Sequence, residues 1–264
     1  MSSTASESPA SERREALKAV FAEAKGCTRC PELAATRKTV VFGAGNANAE
    51  LMFVGEAPGA SEDEQGVPFV GRAGKLLSTL LEEVGLQRDD VFIANVLKCR
   101  PPGNRDPLPI EIENCQDYLH RQVELIQPSV ICTLGNFSTK LLRGDPTGIT
   151  RLHGQPEVLT LGRRAVRLYP IFHPAAALYT PRMLETLRED FSRLPELLAL
   201  GAPEQPSAPE LAELEQAPEL GDPPQPADPA GSASADGGDA IAGGEARAED
   251  SSAEPVEPDQ LGLF

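Results

Sequence analysis

The sequence contains no apolar run approaching the ~18 residues that a membrane-spanning helix needs, so no transmembrane span is expected. Its first stretch, Met1 to Arg14, is rich in Ser, Glu and Ala and has no apolar h-region, which argues against a secretory signal and for a cytoplasmic protein. A surplus of basic residues is also missing. Lys and Arg number 24 against 40 Asp and Glu, a net charge of -16 that looks hostile to nucleic acid. That deficit is uneven. Residues 201–264 hold 15 of the acidic residues and a single basic one, Arg247, so residues 1–200 carry a net charge of only -2. The acidity belongs to the tail, and whole-chain charge does not exclude a nucleic-acid partner for the rest. The tail also lacks aromatics, apart from the terminal Phe264. A Pro-, Ala-, Gly-, Ser- and acid-rich stretch cannot bury enough apolar surface to offset its ordering entropy. Residues 201–264 are therefore expected to be disordered, as are residues 1–10, leaving one domain over 11–200. Without a secretory context, the five cysteines are better read as metal-binding or buried than as disulfides.

What is present is organised around Leu51-Met52-Phe53-Val54-Gly55-Glu56-Ala57-Pro58-Gly59. A short apolar run reads as a buried strand and ends in a carboxylate held on a stiff Gly- and Pro-bounded loop. Further buried strands are expected at 91–96, 130–134 and 169–172, with a short one at 39–42. Helices are expected at 11–24, 73–84, 109–126, 136–142 and 181–200, and a hairpin around Gly162-Arg163-Arg164. Residues 60–71 read as a long polar irregular loop with one aromatic, Phe69, and loops of that length usually carry function. Strands alternating with helices predict an α/β fold with a mostly parallel sheet covered on both faces.

Two constellations carry chemistry. Cys27 and Cys30 form a C-x-x-C knuckle, and Cys99 and Cys115 lie far down the chain. Four such thiolates close a tetrahedral site for zinc or for an iron–sulfur cluster, and spacing does not choose between them. Cys132, inside an apolar strand, reads as a small buried hydrophobe. The second constellation is polar: Glu56, Asn95 and His173 each follow a buried strand. In a parallel sheet those carboxyl ends share one edge. An amide reads a pyrimidine edge, an aromatic such as Phe69 stacks on a base, a carboxylate orients water and an imidazole meets a developing anion. Glu62 and Asp63 are expected to be solvated loop acids. Gly71-Arg72-Ala73-Gly74-Lys75-Leu76 imitates a P-loop but lacks its first Gly and its Ser or Thr, which argues against triphosphate binding.

Gly55-Glu56-Ala57-Pro58-Gly59, Pro68-Phe69-Val70-Gly71-Arg72-Ala73-Gly74, Asn95 ahead of Lys98-Cys99-Arg100-Pro101-Pro102, and His173-Pro174-Ala175-Ala176-Ala177-Leu178 occur in the order seen in the family 4 uracil-DNA glycosylases. The chain resembles that family over about residues 15–200. The resemblance implies an α/β/α sandwich with a central four-stranded parallel sheet, and a [4Fe–4S] cluster on Cys27, Cys30, Cys99 and Cys115. It implies that uracil flips out of DNA, that Phe69 stacks on it, and that Asn95 reads its polar edge. The backbone of Gly55, Glu56 and Ala57 holds the base, Glu56 positions the attacking water, and His173 bonds the leaving uracil anion. Leu178 and Tyr179 become candidates for the gap left by the flipped base, and Arg100, Arg105 and Arg182 for phosphate contacts. One related group captures uracil-DNA covalently through a His in an inserted loop. Arg100 to Arg105 has neither insertion nor His, so turnover by a monomer is expected. The competing reading is a non-catalytic iron–sulfur or zinc protein that binds nucleic acid. The chain ends in Gln260-Leu261-Gly262-Leu263-Phe264, which resembles the peptides that bind the bacterial sliding clamp.

Overall fold

The computed structural model describes residues 9–211. The expectations for residues 1–8 and 212–264, including the terminal Gln260 to Phe264 peptide, lie outside the described residues. The chain opens with α1 (Pro9–Lys25) and α2 (Pro31–Thr36), then β1 (Ala44–Gly45) and β2 (Leu51–Gly55). Next come α3 (Ala60–Gln65), α4 (Arg72–Glu83), β3 (Phe92–Asn95), α5 (Pro109–Ile126) and β4 (Val130–Leu134). Beyond these are α6 (Asn136–Arg143), α7 (Ile149–Leu152), β5 (Glu157–Leu161), β6 (Arg164–Ile171), α8 (Pro174–Ala177), α9 (Pro181–Ser192) and α10 (Leu194–Ala199).

The strand order is β1-β3-β2-β4-β6-β5. The inner strands β3, β2, β4 and β6 are all parallel, giving the expected four-stranded centre. Two antiparallel edge strands, β1 and β5, extend it to six. Alternation along the strands sorts side chains to two faces. Met52 and Val54 of β2 join Phe92, Ile131 and Leu168 under α1 and α5. Leu51 and Phe53 join Ile93, Cys132, Tyr169 and Ile171 under α4, α9 and α10. The result is a three-layer α/β/α sandwich. Leu77, Leu80 and Leu81 of α4 are wholly buried, and each such burial is worth about 2 kcal/mol. Among the described residues no helix is long and apolar enough to cross a membrane.

Four local expectations are corrected. Residues 39–42 form no strand; Val41 only donates its N–H to the Lys98 carbonyl, and the β1 pairing lies further on, Ala44 opposite Ile93. The loop 60–71 contains α3, which Gly66 ends in the left-handed conformation at φ 70°. Its Ala-Ser-Glu-Asp-Glu-Gln sequence has no apolar period to reveal it. The closing helix is broken at Arg193 into α9 and α10. Order also runs past Leu200. The Gln205 side-chain amide donates to the Ala165 carbonyl and accepts from its N–H. It thereby covers the stretch of β6 ahead of the β4 pairing, which begins at Arg167.

Candidate active site

The four parallel strands end along one edge, and their last residues build the site. Gly55 and Asn95 are register partners across β2 and β3. A Cβ added to Gly55 would lie 2.4 Å from Asn95 Oδ1 and 2.8 Å from Phe69 Cζ, so amide, ring and bare backbone are in mutual contact. Across the sheet, Gly135 after β4 abuts His173 after β6, with 3.1 Å between an added Cβ and the His173 Cβ. The rings of Phe69 and His173 stack with centroids 5.6 Å apart. Asn95, Phe69 and His173 thus converge from three separate stretches, around Gly55.

Asn95 is 2% exposed, and its Oδ1 is buried without a hydrogen-bond partner. An orphaned buried acceptor is costly, and such atoms in a cleft await a donor from a ligand. His173 is half-buried. Its Nδ1 accepts the Ala175 N–H at 3.1 Å, which assigns the proton of the neutral ring to Nε2. Burial pulls its pKa down to about 4, against a smaller opposite pull from Glu62. The imidazole is therefore a neutral donor at physiological pH. Glu56 is half-buried beyond Gly55, and its carboxyl is held above the usual range by burial first and by Asp106 second. The other two histidines serve elsewhere: His120 lies on α5, and His153 pairs with Asp190 at 3.1 Å.

Phe69 is held by residues the sequence undervalues. Its backbone is left-handed at φ 54°, a conformation costing a non-glycine residue about 1–3 kcal/mol. Glu62 Oε1 accepts the N–H groups of both Val70 and Gly71 at 3.1 Å. Arg88 donates to the Pro68 carbonyl. Gly74 lets α4 approach so closely that an added Cβ would sit 1.7 Å from the Phe69 carbonyl oxygen. The P-loop-like glycine thus serves packing. Asp63, 3% exposed, accepts the Lys38 N–H at 2.9 Å and so ties α3 to the segment before β1. Neither acid is a solvated loop residue; each satisfies backbone donors that helices and strands leave free. The loop pattern pointed to these positions, but only contacts reveal what they bind.

The expected DNA-facing residues divide. Leu178 is half-buried after α8, whereas Tyr179 is 76% exposed and its hydroxyl accepts from Arg72 at 2.8 Å. That bond joins the His173 segment to the start of α4, next to the Phe69 loop. Arg182 is exposed on α9. Arg100 donates to Asn104 at 2.7 Å. Arg105 grips both Glu111 and Glu32, an arrangement that clamps α5 to α2 and occupies its guanidinium.

The four cysteines converge as well. Cys27, Cys30, Cys99 and Cys115 line one small cavity, together with Ala24, Leu33, Arg37, Lys98, Asn114 and Tyr118. All four are free thiols. N–H donors point at the sulfurs: Arg37 to Cys99 at 3.2 Å, the Lys98 backbone to Cys115 at 3.3 Å and Asn114 to Cys30 at 3.7 Å. Donors so placed stabilise thiolates and suit sulfurs that hold a buried inorganic group. Among the described residues no three His, Cys, Asp or Glu are drawn in around a single ion. Cys132 lies apart, wholly buried in β4, and burial pushes its thiol well up.

Comparison with known families matches residues 42–195 to the uracil DNA glycosylase superfamily. A protein of Archaeoglobus fulgidus named type-4 uracil-DNA glycosylase is 46% identical over 187 residues, 69% of this chain and 94% of the relative. One of the same name from Sulfurisphaera tokodaii is 46% identical over 188 residues, covering 69% and 85%. A type-5 uracil-DNA glycosylase of Pyrobaculum aerophilum is more distant, 30% identical over 199 residues, covering 63% and 87%. A shared sheet edge carrying Gly55, Asn95 and His173, together with this gradient of likeness, places the chain in the uracil-DNA glycosylase superfamily, among its type-4 members.

Proposed function

We infer that this protein is a DNA-repair hydrolase that flips uracil out of DNA and hydrolyses its N-glycosidic bond, leaving an abasic site. The observation that carries the site assignment is the buried, unpartnered Oδ1 of Asn95 beside the Phe69 ring. An amide offers one acceptor and one donor, the complement of the N3–H and O4 of uracil. Cytosine presents the reverse pattern at those two positions, so it leaves both amide groups unpaired. Phe69 stacks on the flipped base, and the backbone of Gly55, Glu56 and Ala57 lies along its edge. The neutral His173 donates from Nε2 to the uracil oxygen as negative charge builds on the leaving base. Glu56 orients the water that attacks the sugar. Leu178 and Tyr179 face the opened duplex, Arg100 and Arg182 contact phosphates, and Arg105 holds the scaffold.

We assign a [4Fe–4S] cluster to Cys27, Cys30, Cys99 and Cys115. The reading is supported by the four sulfurs bordering one cavity and by the place of the chain among the type-4 glycosylases. When bound, the cluster supplies a cross-link between the α1–α2 knuckle, the segment after β3, and α5.

Uracil release from an oligonucleotide with one uracil tests the reading. Wild type is expected to release free uracil and to leave cytosine in place. Asn95→Ala is expected to slow release by about 10²–10³-fold, since a buried hydrogen-bonding pair is lost from the recognition edge. Absence of uracil release by wild type sinks the function; an unchanged rate in the variant sinks the site.

We propose further that the terminal Gln260-Leu261-Gly262-Leu263-Phe264 binds the bacterial sliding clamp. Deleting residues 260–264 is expected to abolish clamp binding in a calorimetric titration while leaving uracil release on a free oligonucleotide intact. Equal clamp affinity with and without the peptide would refute this reading.

A further inference from the structure

We propose that Lys98 is a positioning residue that joins the four-cysteine site to the base-reading amide of Asn95. Lys98 is 1% exposed, an unusual place for an ammonium group. Its Nζ donates to the Asn95 backbone carbonyl at 2.8 Å and to Gln122 Oε1 at 2.6 Å. Gln122 is fixed in turn, donating to the Phe42 carbonyl at 2.9 Å, and the Phe42 ring lies 5.7 Å from Nζ. None of these partners carries a negative charge. Lys98 also adjoins two of the cysteines: it precedes Cys99 in sequence, and its backbone N–H donates to Cys115 Sγ at 3.3 Å.

The cavity that the four cysteines line is bordered by Lys98 as well. The side chain packed there is the same one whose Nζ fixes the Asn95 carbonyl, three residues back. Neighbouring backbone bonds extend the connection, since the Leu97 N–H donates to the Glu56 carbonyl and the Val96 N–H to that of Gly55, both at 3.0 Å. The segment from Asn95 to Cys99 therefore has the base pocket at one end and two cysteines at the other, with Lys98 bracing it. Loading the cysteine site sharpens the pocket by ordering Asn95. This inference rests on the proposed role of Asn95 in binding uracil.

The test is Lys98→Met, which keeps the length of the side chain and removes its charge and donors. Iron and acid-labile sulfide are measured on the purified holoenzyme, with KM and kcat on a uracil oligonucleotide and the inhibition constant of free uracil. The expected result is full iron content with KM and the uracil inhibition constant raised together by about tenfold, and a smaller change in kcat. Wild-type KM and inhibition constant in iron-replete Lys98→Met would overturn the proposal. Should that variant hold no iron, Gln122→Met decides. It removes one oxygen partner of Nζ, touches no cysteine, and is expected to raise KM about threefold at full iron; unchanged KM would overturn the proposal. Asn95→Ala separates the two levels. If it leaves uracil inhibition unaltered, the assigned role of Asn95 fails; if it weakens inhibition and Lys98→Met does not, only the role of Lys98 fails.

Discussion

His173→Ala is expected to slow uracil release by about 10²–10³-fold in single-turnover assays, the cost of removing one pre-aimed donor to a developing anion. Substrate affinity should change far less, because the interaction strengthens only as the base departs. The sign of the pH dependence follows from the environment of the ring. Burial lowers its pKa from 6.5 to about 4, so the folded protein keeps the imidazole neutral through the range where an unfolded chain would protonate it. Stability contributed by the neutral ring is present above about pH 6.5 and is lost as pH falls from there through about 4, because the unfolded state takes up the proton first. Protonation would also set an Nδ1–H against the Ala175 N–H that Nδ1 now accepts. An NMR titration of the His173 ring should show its midpoint near 4, and a midpoint near 6.5 would contradict the assignment of a neutral donor. In the proposed role of orienting water Glu56 must be ionised, so the acid limb of the rate profile should follow its carboxyl, which burial holds above its ordinary range. Glu56→Gln should therefore lower the rate at neutral pH and remove that limb.

Gly55→Ala is expected to abolish excision, by about 10³-fold or more, and to lower stability by about 1–3 kcal/mol without unfolding the protein. The added methyl would sit 2.4 Å from Asn95 Oδ1 and 2.8 Å from the Phe69 ring, and neither can retreat cheaply. Asn95 is buried at a strand end in register with Gly55. Phe69 is fixed by the Glu62 bonds to its two following amides and by the close approach of Gly74. A misplacement near 1 Å at such a site costs about 10²-fold by itself, and here the methyl also occupies space meant for the base. The strand should survive, because its apolar residues Leu51 to Val54 are untouched and buried. Paired measurement of uracil release and thermal unfolding checks this. Activity within tenfold of wild type would mean that the base does not lie against Gly55.

The sandwich was legible because its signals are periodic. Four short apolar runs alternate with amphipathic helices, and α1, α4 and α5 formed within about two residues of where the apolar spacing puts them, while the closing helix begins as expected at Pro181 but breaks at Arg193. The elements that escaped have no such period. The acidic α3 is held by carboxylates on backbone amides, and β1 is two residues long. Gln205 covers a sheet edge through a side-chain amide from a Pro-rich stretch whose composition reads as disorder.

For the site, the sequence by itself determined the chemistry available: one carboxylate, one amide, one imidazole and one aromatic at strand ends or in a functional loop, and four cysteines in two distant groups. Residue type and local spacing carry that information directly. The tertiary structure alone decided which of them meet. It set Asn95 opposite Gly55 through strand register, turned Phe69 onto His173 through a left-handed backbone, and converted Glu62 and Asp63 from surface acids into clamps. It also paired Arg105 with Glu32 and Glu111. Only tertiary structure placed a buried lysine between the cysteines and the amide. These are contacts between residues distant in the chain or matters of side-chain reach, and their energies arise from burial and pairing that no local pattern records.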